Sequence, residues 1–340
     1  MLQRGLEGAH ACARLAGARS HCSITPVKIT FLGTSAGQPT SRRNVTAQAL
    51  RFDDGRMWLI DCGEATQHRV REAGLRAIRC DRILITHLHG DHCWGLPGML
   101  MAIAIAGRTE PVQLAGPRGL ARMLDGAFAP SATELPFELQ LHELDGESRG
   151  EPLPPLATSP DSWRARPFSI RHRVPCVAWL CEEPPRPGRM HPERALALGI
   201  TDRRDLGRLQ RGEEVHLPDG RTIRPDDVLD APPAARRALV CGDTEDADAI
   251  IPHAQGVDVV VREATYPADQ EEKARQWGHS TATMTGAFAA ALHARRLIIT
   301  HFGGRHGDGP GPEQLRGEAA AACPGIPVEA AEDLRTFTIS

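Results

Sequence analysis

The chain predicts an α/β fold of layered sheets and helices. Two observations carry that. Apolar runs of strand length alternate with helical runs along most of the 340 residues. Three of those runs, "RILITH" (82–87), "ALVCGD" (238–243) and "RLIITH" (296–301), end on a polar residue that can bind a metal. Ligand-capable side chains at the C-terminal ends of buried strands are where α/β folds build their sites.

Taken in order, "VKITFLG" (27–33), "TAQALRF" (46–52) and "MWLIDCG" (57–63) read as strands, and "EATQHRVREAG" (64–74) as a helix. "RILITH" is a strand, followed by a helical run from Gly98 to Gly107. "RALVCGD" (237–243), "VDVVVRE" (257–263) and "RLIITH" are strands again, and "TATMTGAFAAALHA" (281–294) is a helix with threonines at its start. The pattern breaks between Pro184 and Pro233, where the chain turns Pro/Arg/Gly-rich; this reads as an insertion projecting from the core. Between 184 and 225 it holds nine arginines against six acidic residues, a local positive excess. The Pro-rich stretch 151–160 reads as a surface loop.

Composition sets the bounds. A net charge of -3 argues against a uniformly basic coat, but not against a local basic patch. Only two lysines occur, Lys28 and Lys273, so nearly all positive charge is arginine, which suits phosphate contacts. Nine scattered cysteines without a C-x-x-C pair fit reduced thiols in a cytoplasmic protein. No apolar run approaches the roughly 18 residues of a membrane span, so no membrane partner is expected. Residues 1–26 are Ala/Arg/Gly-rich without an apolar core, which reads as a flexible extension or an over-long gene start, not a secretory signal.

The chemistry is concentrated in "ILITHLHGDHCWGLPG" (83–98). His87 and His89 are two apart, so an extended backbone aims both side chains the same way. Gly90 allows a sharp turn before Asp91 and His92. Imidazole with carboxylate suits zinc and other borderline divalent ions. Four such ligands cannot all serve one tetrahedral ion and leave room for water, so the spacing suggests two metals in one site.

"THLHGDH" resembles the hallmark of the metallo-β-lactamase superfamily. That likeness implies an αβ/βα sandwich: two sheets flanked by helices, here over 27–340 with an inserted protruding arm at 184–232. "IDCGEATQHR" (60–69) resembles the superfamily's first motif, in which Asp61 would support the ligands by hydrogen bonds. "RHRVPCVAW" (171–179) offers His172, "CGDT" (241–244) offers Asp243 and "THFGGRH" (300–306) offers His301. The resemblance implies two zinc ions: one held by His87, His89, His172 and Asp243, the other by Asp91, His92, Asp243 and His301, with Asp243 bridging them.

Within the superfamily the chain is similar to the ribonuclease Z family, tRNA 3′-processing endoribonucleases. "GTSAGQPTSRRN" (33–44) resembles that family's Gly-rich first loop, and "REATY" (262–266) its H-E-A-T motif with Arg262 in place of His. "GHST" (278–281) resembles its H-S-T motif, and 184–232 its substrate-binding arm, down to "G-x-L-x-x-G-x-x-V-x-L-x-D-G" at 207–220. Some positions depart: Ala178-Trp179 stand where Gly-Tyr is usual, "GITDRRDLG" lacks the usual Gly-Pro step, and "THFGGRH" replaces "THFSxRY". None removes a ligand type.

The likeness implies removal of the 3′ trailer from precursor tRNA, leaving a 3′-hydroxyl. Asp91 would ligate a metal and also orient or deprotonate the attacking water. His279 would face the phosphate and help protonate the leaving oxygen, with Glu263 holding its imidazole. Arg43 and Asn44 would meet the RNA end near the metals. In the arm Arg186, Arg189, Arg194, Arg203, Arg204, Arg208 and Arg211 are candidates for phosphate contacts. The family arm grips tRNA cleaved in the other subunit, which implies a homodimer. Two other readings stay open: a small-molecule phosphodiesterase or arylsulfatase-like hydrolase on the same fold, and an RNA-binding homologue without catalysis. The arm argues against the first, the intact ligand positions against the second.

Overall fold

The structure, a computed structural model, describes residues 26–156 and 163–339. The expectation for 1–26 therefore lies, apart from Pro26, outside the described residues, as does the end of the loop expected at 151–160. The chain divides into a main unit and a smaller one, Pro184–Ala235.

The main unit carries two sheets. The first is built from β1 (Val27–Gly33), β2 (Ala47–Arg51), β3 (Met57–Ile60), β4 (Cys80–Leu84), β5 (Val112–Pro117) and β6 (Leu139–Leu144). The second takes β7 (Arg164–Ile170) and β8 (Cys176–Glu182); β9 (Val215–His216) and β10 (Thr222–Ile223) belong to the smaller unit. Then follow β11 (Arg237–Cys241), β12 (Val259–Glu263), β13 (Leu297–Thr300), β14 (Val328–Ala330) and β15 (Thr336–Ile339). The strand orders are β15-β1-β2-β3-β4-β5-β6 and β14-β13-β12-β11-β8-β7. Pairing is antiparallel from β15 to β3 and parallel from β3 to β6. In the second sheet β11 to β14 are parallel, while β7 and β8 run antiparallel.

Both faces of these strands are apolar, and each face has its own cover. Val27, Ile29, Phe31, Trp58 and Ile60 of the first sheet share one core with Val177, Trp179, Val240, Val259 and Val261 of the second. The alternate residues Ala49, Leu59 and Ile83 pack under Leu96, Met99, Leu100 and Ile103 of helix Leu96–Ile105. Val260, Leu297 and Ile299 pack under Phe288 and Ala289 of helix Ala282–Ala291 and under Leu315 and Ala319 of helix Gly311–Ala322. The period-2 split of "VVV" in β12 between two cores makes this an αβ/βα sandwich.

The ladders stop short of the sequence runs that suggested them. They end at Ile60, Leu84, Cys241, Glu263 and Thr300, so Asp61, His87, Asp243 and His301 fall in the turns just beyond. Gly242 brings two of those turns together: a Cβ there would stand 2.6 Å from Cys176 Sγ and 2.7 Å from Thr86 Cβ. Asp61 and His301 both take left-handed backbone, φ 61° and 58°, which costs a non-glycine residue energy that the surrounding contacts must offset.

The smaller unit has its own core of Ala195, Ile200, Leu209, Val215, Ile223, Val228 and Leu229. It is built from helices Pro192–Ala197, Arg203–Gln210 and Pro225–Val228 and the β9–β10 hairpin. Asp202 caps the second helix by accepting from the Arg204 N–H at 2.8 Å. One expectation needs correcting. The positive excess counted over 184–225 vanishes over the whole unit, which holds nine arginines and nine acidic residues between 184 and 235.

Candidate metal centre

The strand ends of both sheets converge on one cluster. His87 and His89 follow β4, with Asp91 and His92 on the one-turn helix Gly90–Cys93. His172 lies between β7 and β8, Asp243 beyond β11 and His301 beyond β13. Two groups of potential ligands form: His87, His89, His172 and Asp243, and Asp91, His92 and His301. Within the first, His89 Nδ1 is 3.1 Å from His87 Nε2 and 3.2 Å from His172 Nε2. Within the second, His301 Nε2 is 3.2 Å from His92 Nε2 and 3.3 Å from Asp91 Oδ2. Asp243 reaches both, its oxygens 3.6 Å from His87 Nε2, 3.4 Å from His92 Nε2 and 3.3 Å from His301 Nε2.

These separations fit a metal. A tetrahedral ion with bonds of about 2.0–2.1 Å sets its ligand atoms roughly 3.3 Å apart. Nitrogens facing nitrogens at that distance make no sense as a packed apolar core, and the donor set is what borderline divalent cations prefer.

Each group is braced by a buried carboxylate acting with a threonine. Asp61 accepts from the Thr86 N–H at 2.7 Å and lies 2.7 Å from His92 Nδ1. Thr86 Oγ1 lies 2.9 Å from Asp61 and 3.1 Å from His87 Nδ1, relaying the same carboxylate to a second imidazole. On the other side Glu263 accepts from the Thr244 N–H at 2.7 Å and sits 3.0 and 3.1 Å from His279 Nδ1. Thr265 donates its hydroxyl to Glu263 and lies 3.1 Å from His301 Nδ1. His172 Nδ1 is 2.7 Å from the Gly278 carbonyl. Such partners fix the tautomer, so that the opposite nitrogen faces the cluster. Asp91 Oδ2 also accepts the Gly37 N–H at 2.8 Å, tying the Gly-rich loop to the site.

His279 approaches Asp243 and His301 closely enough to form a third group with them. Its Nδ1 is already committed to Glu263, which leaves Nε2 as the ring nitrogen not held by that carboxylate. Burial opposes its charge, but the Glu263 carboxylate outweighs burial and raises the pKa to about 9. Burial, above all, lowers the pKa of His87, His89 and His172, keeping them neutral as ligands must be. His92 goes the other way: despite burial, Asp243, Asp61 and Asp91 push its pKa well up. Burial alone would raise Asp243, yet His301, His92 and His87 hold it well below the usual carboxylate range.

Other expected site residues are placed differently. The Arg43 guanidinium donates to Thr34 Oγ1 at 2.6 Å and to the carbonyls of Gly307 at 2.5 Å and Ala331 at 2.9 Å, and it stacks over Phe302. Asn44 donates to the Glu64 carbonyl at 2.8 Å. Both side chains brace loops through these bonds. Arg262, standing where the related motif has His, is buried; it donates to Ser280 Oγ at 2.9 Å and lies over Phe288. Ser280 in turn donates to the Thr244 carbonyl at 2.5 Å, locking the segment after His279 to the segment after Asp243. In the smaller unit Arg208 and Arg211 pair with Glu213, Arg221 with Asp219 and Arg224 with Glu214. Arg189, Arg194 and Arg204 are exposed and make no ion pair among the described residues.

Known proteins resemble the chain over nearly its whole length. Ribonuclease Z of Acaryochloris marina is 36% identical over 301 residues, covering 88% of this chain and 93% of that protein. Ribonuclease Z of Myxococcus xanthus is 35% identical over 309 residues, covering 89% and 97%. The chain belongs to the ribonuclease Z family.

Ribonuclease BN of Cronobacter sakazakii, 36% identical over 315 residues, covers 92% of the chain and all of its own length. Among solved structures, the short form of human tRNase Z superposes with a TM-score of 0.64 at 26% identity, covering 92% of this chain and 99% of its own. The metallo-β-lactamase-fold protein YhfI of Bacillus subtilis, at 16% identity and a TM-score of 0.63, shares the fold. A family described as anti-Pycsar protein Apyc1 matches residues 27–130. That match takes in His87, His89, Asp91 and His92 but none of His172, Asp243, Glu263, His279 or His301. Beside the ribonuclease Z motifs, the ligands' supports went unread in the sequence: Thr86, Thr265 and the Gly278 carbonyl. Thr86 stands next to His87 in "ITH" and Thr265 two residues after Glu263 in "EAT", but no spacing rule marks either hydroxyl as a support.

Proposed function

We propose that this ribonuclease Z family member is an endoribonuclease that removes the 3′ trailer from precursor tRNA, leaving a 3′-hydroxyl, with two zinc ions in each subunit. The observation that carries this reading is Asp243 standing between two ligand groups, beside the Glu263–His279 pair. His87, His89, His172 and Asp243 would hold one ion, and Asp91, His92, His301 and Asp243 the other. When bound, such ions supply a water deprotonated near neutral pH and relieve charge on the phosphate.

The chain's own residues do the rest. Asp91 orients the attacking water and takes its proton. His279, kept charged by Glu263, faces the phosphate with its Nε2–H and delivers that proton to the leaving 3′-oxygen as the P–O3′ bond breaks. Asp61, with Thr86, keeps His87 and His92 turned inward.

The 184–232 arm is the tRNA-binding element in this reading. Arg189, Arg194 and Arg204 are its best phosphate contacts because they are exposed and make no ion pair among the described residues; Arg186, Arg203 and Arg208 stand nearby in sequence. We place the protein in the cytoplasm as a homodimer, in keeping with the seven described cysteines, all free and buried, and with the family resemblance. No helix among the described residues is long and apolar enough to cross a membrane.

The test is end-mapping of products from a labelled precursor tRNA. The reading expects one cut at the trailer junction, with a tRNA 3′-end that can be ligated. Hydrolysis of bis(p-nitrophenyl) phosphate with no cut in the precursor would favour the small-molecule phosphodiesterase instead.

A further inference from the structure

The chain holds five tryptophans. Trp58, Trp163 and Trp179 are buried, as large indoles usually are. Trp94 and Trp277 are not: they stand 71% and 46% exposed. Both adjoin the cluster in sequence, Trp94 two residues after His92 and Trp277 two residues before His279. The third large exposed hydrophobic residue among those described, Ile105, ends a surface helix.

Neither indole is loosely placed. The Trp94 ring lies against the Gly90 backbone, where a Cβ would stand 2.5 Å from it. Trp277 closes the helix Glu271–Gln276 and adjoins Gly278, whose carbonyl holds His172. The Arg173 guanidinium lies 5.0 Å from the Trp277 ring centroid, and Arg173 is itself exposed. An exposed planar face, at Trp277 with a cation beside it, is the combination that takes a stacked base and its phosphate. Unpaired RNA is bound mainly through such stacking.

We infer that Trp94 and Trp277 form stacking platforms for unpaired nucleobases on either side of the scissile phosphate, with Arg173 contacting the adjoining backbone. The inference rests on the proposed action on precursor tRNA and deepens it: the enzyme recognises single-stranded nucleotides at the junction as well as the folded tRNA. It takes no sequence reading, since every base has a stacking face.

The experiment compares the intact, metal-loaded protein with Trp94→Ala, Trp94→Phe, Trp277→Ala and Trp277→Phe, on precursor tRNA and on bis(p-nitrophenyl) phosphate. Loss of a stacked base weakens binding by about tenfold. Each alanine variant should therefore raise KM for the precursor by roughly that factor, and the ratio of its kcat/KM values for precursor and small diester should fall in step. Each phenylalanine variant should recover most of the loss. Metal content measured alongside should match wild type. Equal losses on both substrates would make the indoles mere supports of the ligand loops, and an unchanged precursor KM in both alanine variants would also overturn the inference. A wild-type protein that hydrolyses the small diester but leaves the precursor whole would bring down the underlying reading itself.

Discussion

The Glu263 carboxylate holds His279 Nδ1 at 3.0 Å and, through the Thr265 hydroxyl, also reaches His301 Nδ1. Asp61 does the same on the other side, touching His92 directly and His87 through Thr86. One buried acid and one threonine thus serve two imidazoles at the end of each sheet. The difference lies in where the imidazoles stand: both of Asp61's partners belong to the two ligand groups, whereas His279, one of Glu263's, is the residue proposed above for proton transfer.

His279→Ala is expected to retain metal and lower kcat on precursor tRNA by about 10²–10⁴-fold, the usual loss of general-acid help. Metal analysis and steady-state rates on the same preparation check it. Metal lost in proportion to activity would instead make His279 a ligand.

The pH dependence follows from the direction of the His279 shift. Its charged form is held by Glu263 up to about pH 9, so the acid is present below that value and disappears as pH rises through it. Bound cations beside it would pull the alkaline limb lower. Glu263→Gln removes the carboxylate that raises the pKa, so the limb of the kcat profile should move further toward acid. An unmoved limb would mean another group sets it.

Asp61→Asn and Thr265→Val should each weaken metal affinity by roughly 10–100-fold, as lost support of ligand imidazoles does. Asp243→Ala should lose more than either, because its carboxylate reaches both groups. Competition with a chelator of known affinity ranks the three.

Replacing Arg189, Arg194 and Arg204 together by alanine should weaken precursor tRNA binding and reduce the slope of log K against log salt by about two to three. Arg208→Ala and Arg211→Ala should change that slope little, since both side chains are held by Glu213. Binding measured between low and moderate salt separates the two sets.

The candidate ligands were legible because metal chemistry concentrates them: "HLHGDH" places four in six residues, and Asp243 and His301 each follow an apolar strand, whereas His172 was read only through the family resemblance. Thr86 and Thr265 were not, since a support needs only one hydrogen bond and no spacing betrays it. β7 was passed over for a related reason. "RARPFSI" carries two arginines and a proline, which read against a central strand, and it lies at the edge of its sheet, where proline's missing N–H is tolerated. The arm's positive excess is local: Asp226, Asp227 and Asp230 lie just beyond residue 225 and cancel it over the whole unit.

The central claim is that the two ligand groups hold ions needed to cut precursor tRNA. Its most direct test is to strip the protein with a chelator, add back zinc in steps, and follow cleavage of a labelled precursor together with bound metal. The account predicts no cleavage at zero metal and recovery that completes at about two ions per chain. Full cleavage by the stripped protein, or full recovery with no metal bound at His87, His89, His172, Asp91, His92, Asp243 and His301, would contradict it.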